Sequence, residues 1–215
     1  MSETMLAART NMIDAQIRSA DVTDPRIHAA MAAVARERFV PGSKRALAYA
    51  DVAVEVSPGR FLLDPRSLAK GLQLAGIGAE DRVLDVGCAT GYSSAVLGRL
   101  AKSVVALEQD ADLVRIASET LVGAQGDIQV AQGGLIEGFK SGGPYDLIFV
   151  NGAIEARPDT LLSQLAEGGR LVAFLKDESR AMLFVRDHGQ VGSRPGFDAR
   201  VPVLAGFRKS QGFIF

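Results

Sequence analysis

The sequence predicts an α/β protein with a doubly wound, mostly parallel sheet. Three observations carry that prediction. First, the run Val83-Leu84-Asp85-Val86 ends abruptly in Gly87, and a helical pattern follows with Ser93, Val96, Leu97 and Leu100 on one face. Second, Val104-Val105-Ala106-Leu107 reads as the next strand, and Glu108 stands at its carboxyl end. Third, strand and helix patterns alternate regularly from residue 82 to residue 175, as successive βα units do.

Taken in order, residues 4–20 read as a helix with Leu6, Ile13 and Ile17 on one face. Thr23-Asp24-Pro25 is a cap with proline in the first turn, and Ile27, Met31 and Val34 continue at helical spacing. Residues 43–60 read as irregular, and Asp64-Pro65 starts a helix carrying Leu68, Leu72 and Ala75. Strands are expected over 82–86, 103–107, 127–131, 145–150 and 170–175, with helices over 91–101, 110–122 and 158–166. After residue 176, Met182-Leu183-Phe184-Val185 and Val201-Pro202-Val203-Leu204 read as the two strands of an antiparallel hairpin. This divides one domain into a helical flank (1–80), a cofactor-binding α/β unit (81–176) and C-terminal strands (177–215).

The composition narrows the function classes. The chain has 215 residues, 47% hydrophobic and 23% charged, with a net charge of −1. That suits a folded domain without a broad nucleic-acid or anionic-membrane footprint. No apolar run approaches a membrane span, and Met1-Ser2-Glu3 lacks a basic n-region, so a cytoplasmic location is expected. The single cysteine, Cys88, excludes an intrachain disulfide and fits a reducing compartment. His28 and His188 fall outside every motif, and no metal site is expected.

The glycine turn and Glu108 together suggest an adenosine-type ligand. Gly87 and Gly91 lack a Cβ where chain and ligand come close, and an acid about 20 residues on can accept from both ribose hydroxyls. A dinucleotide turn reads G-x-G-x-x-G, whereas here Gly87 and Gly91 are spaced G-x-x-x-G, with Ala89 between them. The pattern from Asp85 to Tyr92 resembles motif I of class I methyltransferases, Rossmann-like proteins that bind S-adenosyl-L-methionine.

Several segments then resemble one family, the protein-L-isoaspartate O-methyltransferases. They are Val34-Ala35-Arg36-Glu37-Arg38-Phe39-Val40-Pro41, Ala48-Tyr49-Ala50-Asp51, Gly91-Tyr92 with Ala95-Val96-Leu97, Pro144-Tyr145-Asp146-Leu147-Ile148, and Gln164-Leu165 with Gly168-Gly169. The resemblance implies a seven-stranded methyltransferase sheet and methyl transfer from S-adenosyl-L-methionine to an isoaspartyl carboxylate on a protein or peptide. It places Asp85 and the backbone of Gly87, Cys88 and Ala89 at the methionine end, beside Gly91. Glu108 falls at the ribose, and Gly133, Gly134 and Leu135 at the adenine. No catalytic residue is assigned; Leu63, Asp64 and Asn151 are the acceptor-side candidates. Asp64 also reads as a plain helix N-cap, Asp85 as a brace for the turn, Asn151 as a turn residue, and Cys88 as a small turn residue rather than a nucleophile.

Three positions depart from the family. Phe61 and Leu63 stand where a threonine and a serine are usual, Gly134 stands at an acidic position, and Cys88 and Ala89 lie within the glycine turn. The first departure implies weak or lost isoaspartyl activity. A methyltransferase for another acceptor, a non-catalytic S-adenosylmethionine-binding module and a nicotinamide-dependent oxidoreductase are the alternatives. The glycine spacing and the terminal hairpin oppose the last.

Overall fold

The computed structural model describes residues 3–208. Helix α1 (Glu3–Met12) runs on through a π-helical turn (Ile13–Ile17) and a 3₁₀ turn (Arg18–Ala20), so the expected N-terminal helix is continuous but not uniform. Helix α2 (Pro25–Ala33) starts where Asp24 caps the backbone N–H of Arg26. The stretch expected to be irregular contains a two-stranded antiparallel hairpin, β1 (Val54–Ser57) and β2 (Arg60–Leu62). Helix α3 (Pro65–Ala75) follows, with Asp64 accepting from Ser67 N at 2.8 Å, proline in its first turn and Gly76 closing it in the left-handed region.

The remaining elements form the sheet. They are β3 (Arg82–Val86), α4 (Tyr92–Leu97), β4 (Ser103–Glu108), α5 (Ala111–Thr120), β5 (Asp127–Gln132), β6 (Tyr145–Ile154), α6 (Asp159–Leu162), β7 (Leu165–Leu175), β8 (Arg180–Asp187) and β9 (Gln190–Asp198). The order is β5-β4-β3-β6-β7-β8-β9, parallel through β7 and antiparallel at β8 and β9. Direction along the sheet reverses between β3 and β6, and ligands of open α/β sheets lie beyond the strand ends at such a point.

Period-two alternation sets the two cores. Val83, Leu147, Phe149 and Val172 face α3, α4 and the N-terminal flank, while Leu84, Ile148, Val150 and Leu171 join the cluster containing Leu161 and Leu162 of α6. Helix α6 has four residues where nine were expected, because Gln164 turns back to bond Phe139 N and Glu137 O and β7 begins at once.

The C-terminal hairpin differs from expectation in its second strand. Met182 to Val185 pair with β9, whereas Val203 makes an isolated parallel bridge to Ala153 at the carboxyl end of β6. Pro202 cannot donate to a ladder, which restricts this stretch to a short edge contact. Ala153 N donates to Pro202 O at 2.8 Å and Leu204 N to Ala153 O at 2.9 Å, so residues 201–207 run across the strand ends.

Candidate active site

The site is built on the turn after β3. Gly87 (φ +74°), Ala89 (φ +51°) and Gly91 (φ +95°) are all left-handed, a sequence of torsions that favours glycine at each position. Asp85, wholly buried, braces this turn. Its Oδ2 accepts from the hydroxyls of Ser93 (2.7 Å) and Ser94 (2.5 Å), and its Oδ1 accepts from Asn151 Nδ2 at 2.6 Å. Burial pushes the Asp85 carboxyl up, and these three donors oppose the shift. Asn151 also donates to Val86 O at 3.2 Å, so its Nδ2 joins β3 to β6.

Glu108 is not free either. Expected at a ribose, it forms a fork-to-fork pair with Arg60 of β2, Nη1 to Oε1 and Nη2 to Oε2, both 2.5 Å. The backbone N–H groups of Gln109 (2.8 Å) and Asp110 (3.1 Å) also donate to Oε1, and that of Ala89 donates to Oε2 at 3.0 Å. Five donors saturate the carboxylate. Arg60 and Glu108 are 5% and 0% exposed, so the pair is shielded from water.

The segment 201–207 completes the cover. A Cβ built on Gly87 would lie 2.8 Å from Leu204 Cδ1 and 3.4 Å from Arg60 Nη2, and one on Gly152 would lie 2.9 Å from Leu204 Cβ. Leu204 and Phe207 belong to the same buried cluster as Leu107 and Leu135. Gly134, expected at the adenine, is covered by Glu137, whose Oε2 occupies the space a Cβ would need. Gly133 N donates to Glu108 O at 3.0 Å.

The acceptor-side candidates divide. Leu63 is buried and lines a cavity of about 10 Å³ with Phe61, Leu68, Gly87, Cys88 and Asn151. Asp64 is the N-cap of α3 and lines a different hollow. Cys88 is 1% exposed, and burial pushes its thiol well up, away from the thiolate a nucleophile needs. His28 Nε2 lies 2.8 Å from Val22 O in the flank, and His188 is exposed on the β8–β9 turn.

Of the segments that carried the resemblance, 34–41, 48–51 and 91–92 pack behind this cavity, whereas 144–148 and 164–169 lie at the amino ends of β6 and β7. Arg36, wholly buried, donates through Nε to Ala48 O (2.7 Å) and through Nη2 to Leu63 O (2.6 Å), and lies 4.6 Å over the Tyr92 ring. Tyr49 Oη bonds Glu37 and accepts from Arg9 Nε at 3.0 Å, tying α1 to the same wall. Thr90 reaches back to Phe39 O at 2.6 Å.

An open parallel sheet with two acids at the ends of β3 and β4, a left-handed glycine turn and a terminal antiparallel pair defines a methyltransferase-type Rossmann-like protein. The comparisons refine this. Residues 7–196 match the Protein-L-isoaspartate(D-aspartate) O-methyltransferase family. A protein-L-isoaspartate O-methyltransferase of Koribacter versatilis is 39% identical over 165 residues, 76% of this chain and 74% of that one. One from Methanoculleus marisnigri is 34% identical over 204 residues, 93% and 92% of the two chains. A solved protein-L-isoaspartate O-methyltransferase superposes with TM-score 0.79 at 24% identity, over 92% of this chain and 66% of that one. A putative one from Plasmodium falciparum, in complex with S-adenosyl-L-homocysteine, gives 0.77 at 19% identity, over 91% and 97%. The chain belongs to the protein-L-isoaspartate O-methyltransferase family, whose members are S-adenosyl-L-methionine-dependent methyltransferases.

As arranged, the residues do not fit that cofactor. The two cavities touching the glycine turn and the β2 hairpin measure about 10 Å³ each. That is room for about one water, whereas small-molecule sites span roughly 300–1,000 Å³. A groove of about 470 Å³ runs past Asp51, Arg66 and Arg200, but neither Asp85 nor Glu108 lines it. Among the described residues no helix is long and apolar enough to cross a membrane.

Proposed function

We propose that this chain transfers methyl to a carboxylate on a protein or peptide, with isoaspartyl activity that is weak or undetectable. Family membership supports the reaction class, and the acceptor-side wall supports the restriction. In this reading Glu108 serves the ribose end, the turn from Gly87 to Ala89 serves the methionine end with Asp85 bracing it, and Gly133 to Leu135 flank the adenine. A carboxylate is already anionic at pH 7, so the reaction calls for positioning rather than a general base. That agrees with a site holding no histidine.

The observation that carries the restriction is Leu63. Its side chain offers only carbon to the cavity, its carbonyl is taken by Arg36, and the neighbouring polar side chains Ser93 and Asn151 are turned onto Asp85. A missing hydrogen bond to a charged group is worth about 1.5–3 kcal/mol, or roughly one to two decades in rate. Transfer of radiolabelled methyl into isoaspartyl peptides, small carboxylates and a cell extract tests the reading. Leu63→Ser should raise isoaspartyl transfer by roughly ten- to a hundredfold. Family-typical turnover by the unmodified protein would overturn the restriction.

The second reading is a non-catalytic S-adenosylmethionine-binding module acting through a protein partner. The lack of a hydroxyl at Phe61 and Leu63 favours it, and methyl transfer to any acceptor in the same panel would dismiss it.

A further inference from the structure

The cover over the strand ends imitates the ligand it excludes. A carboxylate at the end of the second strand of such a fold accepts two donors from the vicinal hydroxyls of a ribose. Here the guanidinium fork of Arg60 supplies two donors to the same oxygens. The close approach that glycine permits at Gly87 is used by Leu204 and by Arg60 Nη2. The apolar space beside Leu107 and Leu135 is shared with Phe207.

The occupant is weakly rooted. Arg60 Nε is buried and has no hydrogen-bond partner among the described residues, where Glu108 is the one group its guanidinium bonds. The arginine rides on a three-residue strand in a two-stranded hairpin separate from the main sheet, an arrangement with little stability of its own. The segment 201–207 is tied to β6 and its following turn by three backbone bonds, Ala153 N to Pro202 O, Leu204 N to Ala153 O and Glu155 N to Phe207 O. Both parts carry buried side chains but stand outside the central strands, and such segments can open without unfolding the sheet.

We infer that Arg60 and residues 201–207 are a displaceable internal occupant of the nucleoside site. S-adenosylmethionine or its demethylated product enters only when the whole occupant is displaced, with the Arg60–Glu108 pair broken and residues 201–207 moved aside. Weakening either part therefore raises the affinity. Apparent affinity falls in proportion to the open fraction, so a site open about 1–10% of the time binds roughly ten- to a hundredfold more weakly than the same site held open. This inference rests on the cofactor reading given above.

Calorimetry with S-adenosylhomocysteine, run on the unmodified protein, Arg60→Ala and Leu204→Ala, tests it. Arg60→Ala removes the internal ligand; Leu204→Ala opens the glycine side and leaves the ion pair intact, which covers the case of an unfolded Arg60→Ala. Cys88, the single cysteine, is buried in the turn directly after Gly87, against which Leu204 packs, and gives an independent readout through its rate of modification by a small aromatic disulfide. Both variants should bind at least about tenfold more tightly than the unmodified protein, with Cys88 modified at least about tenfold faster and protected by the ligand. Equal affinity in all three proteins would overturn the inference and leave the cofactor reading standing. Faster modification of Cys88 without binding in any of them would overturn both.

Discussion

Two arginine–carboxylate pairs stand at opposite ends of the sheet, and they are built differently. At the amino ends of the strands, Arg170 bonds Asp81 through Nη2 (2.5 Å) and Nη1 (3.3 Å). It also reaches Ala75 O (2.6 Å), Gly76 O (2.8 Å) and Asp146 O (3.0 Å). Every nitrogen of that guanidinium is used, and the carbonyls it holds end α3 and begin β6. At the carboxyl ends, Arg60 has among the described residues one partner and an unused Nε, although it is the more deeply buried of the two. A buried ion pair stabilises only when its remaining donors are satisfied. Arg170 meets that condition and fastens the fold. Arg60 does not, and its pair instead holds a place.

The largest expected effect tests the fastening end. Arg170→Ala should destabilise by about 3 kcal/mol, since it strips a half-shielded acid and three carbonyls of their donor. For a chain of this size that lowers the melting temperature by about 6–12 °C. Arg60→Ala should lose no more than about half as much, because three backbone N–H groups still meet Glu108. Equal losses would erase the distinction.

Next is the acid itself. In an Arg60→Ala background, Glu108→Ala should weaken S-adenosylhomocysteine by roughly ten- to a hundredfold, from charged hydrogen bonds worth about 1.5–3 kcal/mol. Unchanged affinity in a folded double variant would remove Glu108 from the ligand. Asn151→Ala comes third. It strands Asp85 Oδ1 in the core, at about 1.5 kcal/mol or about 3–6 °C of melting temperature. A raised KM with unaltered stability would instead restore Asn151 to the acceptor. The smallest effect belongs to Cys88→Ala, which keeps a small residue in the turn; turnover should change by less than about tenfold, and loss of several decades would revive a covalent thiol.

The central strands and the turn were legible because their signals are local. Val83 to Val86 form a buried run, Gly87 and Gly91 punctuate it, and Glu108 follows at a spacing that one βα unit dictates. The family segments were legible too, although their physical role was not. Arg36 is a buried support for Ala48 and Leu63, 12 and 27 residues away, which no spacing displays. Arg60 was missed for the same reason, since 48 residues separate it from Glu108 and it lies in a stretch that reads as irregular. An arginine followed directly by Phe61-Leu62-Leu63 is the one local hint that its side chain is buried. Residues 201–204 misled in the opposite sense. Their apolar, β-branched pattern fits a strand, but the polar run of β9, Gln190–Asp198, lies nearer in sequence and takes the ladder with β8.

The β1–β2 hairpin has a kinetic consequence. Arg60, which holds Glu108, and Phe61, which with Leu63 lines the cavity proposed for the acceptor, are consecutive residues of one three-residue strand. On the proposed function, opening that moves β2 as a unit withdraws the guanidinium and the acceptor wall together, so the two substrates should not load independently. Initial-rate patterns should be those of a compulsory-order sequence, with the nucleoside arriving first, leaving last, and its product competing only against it.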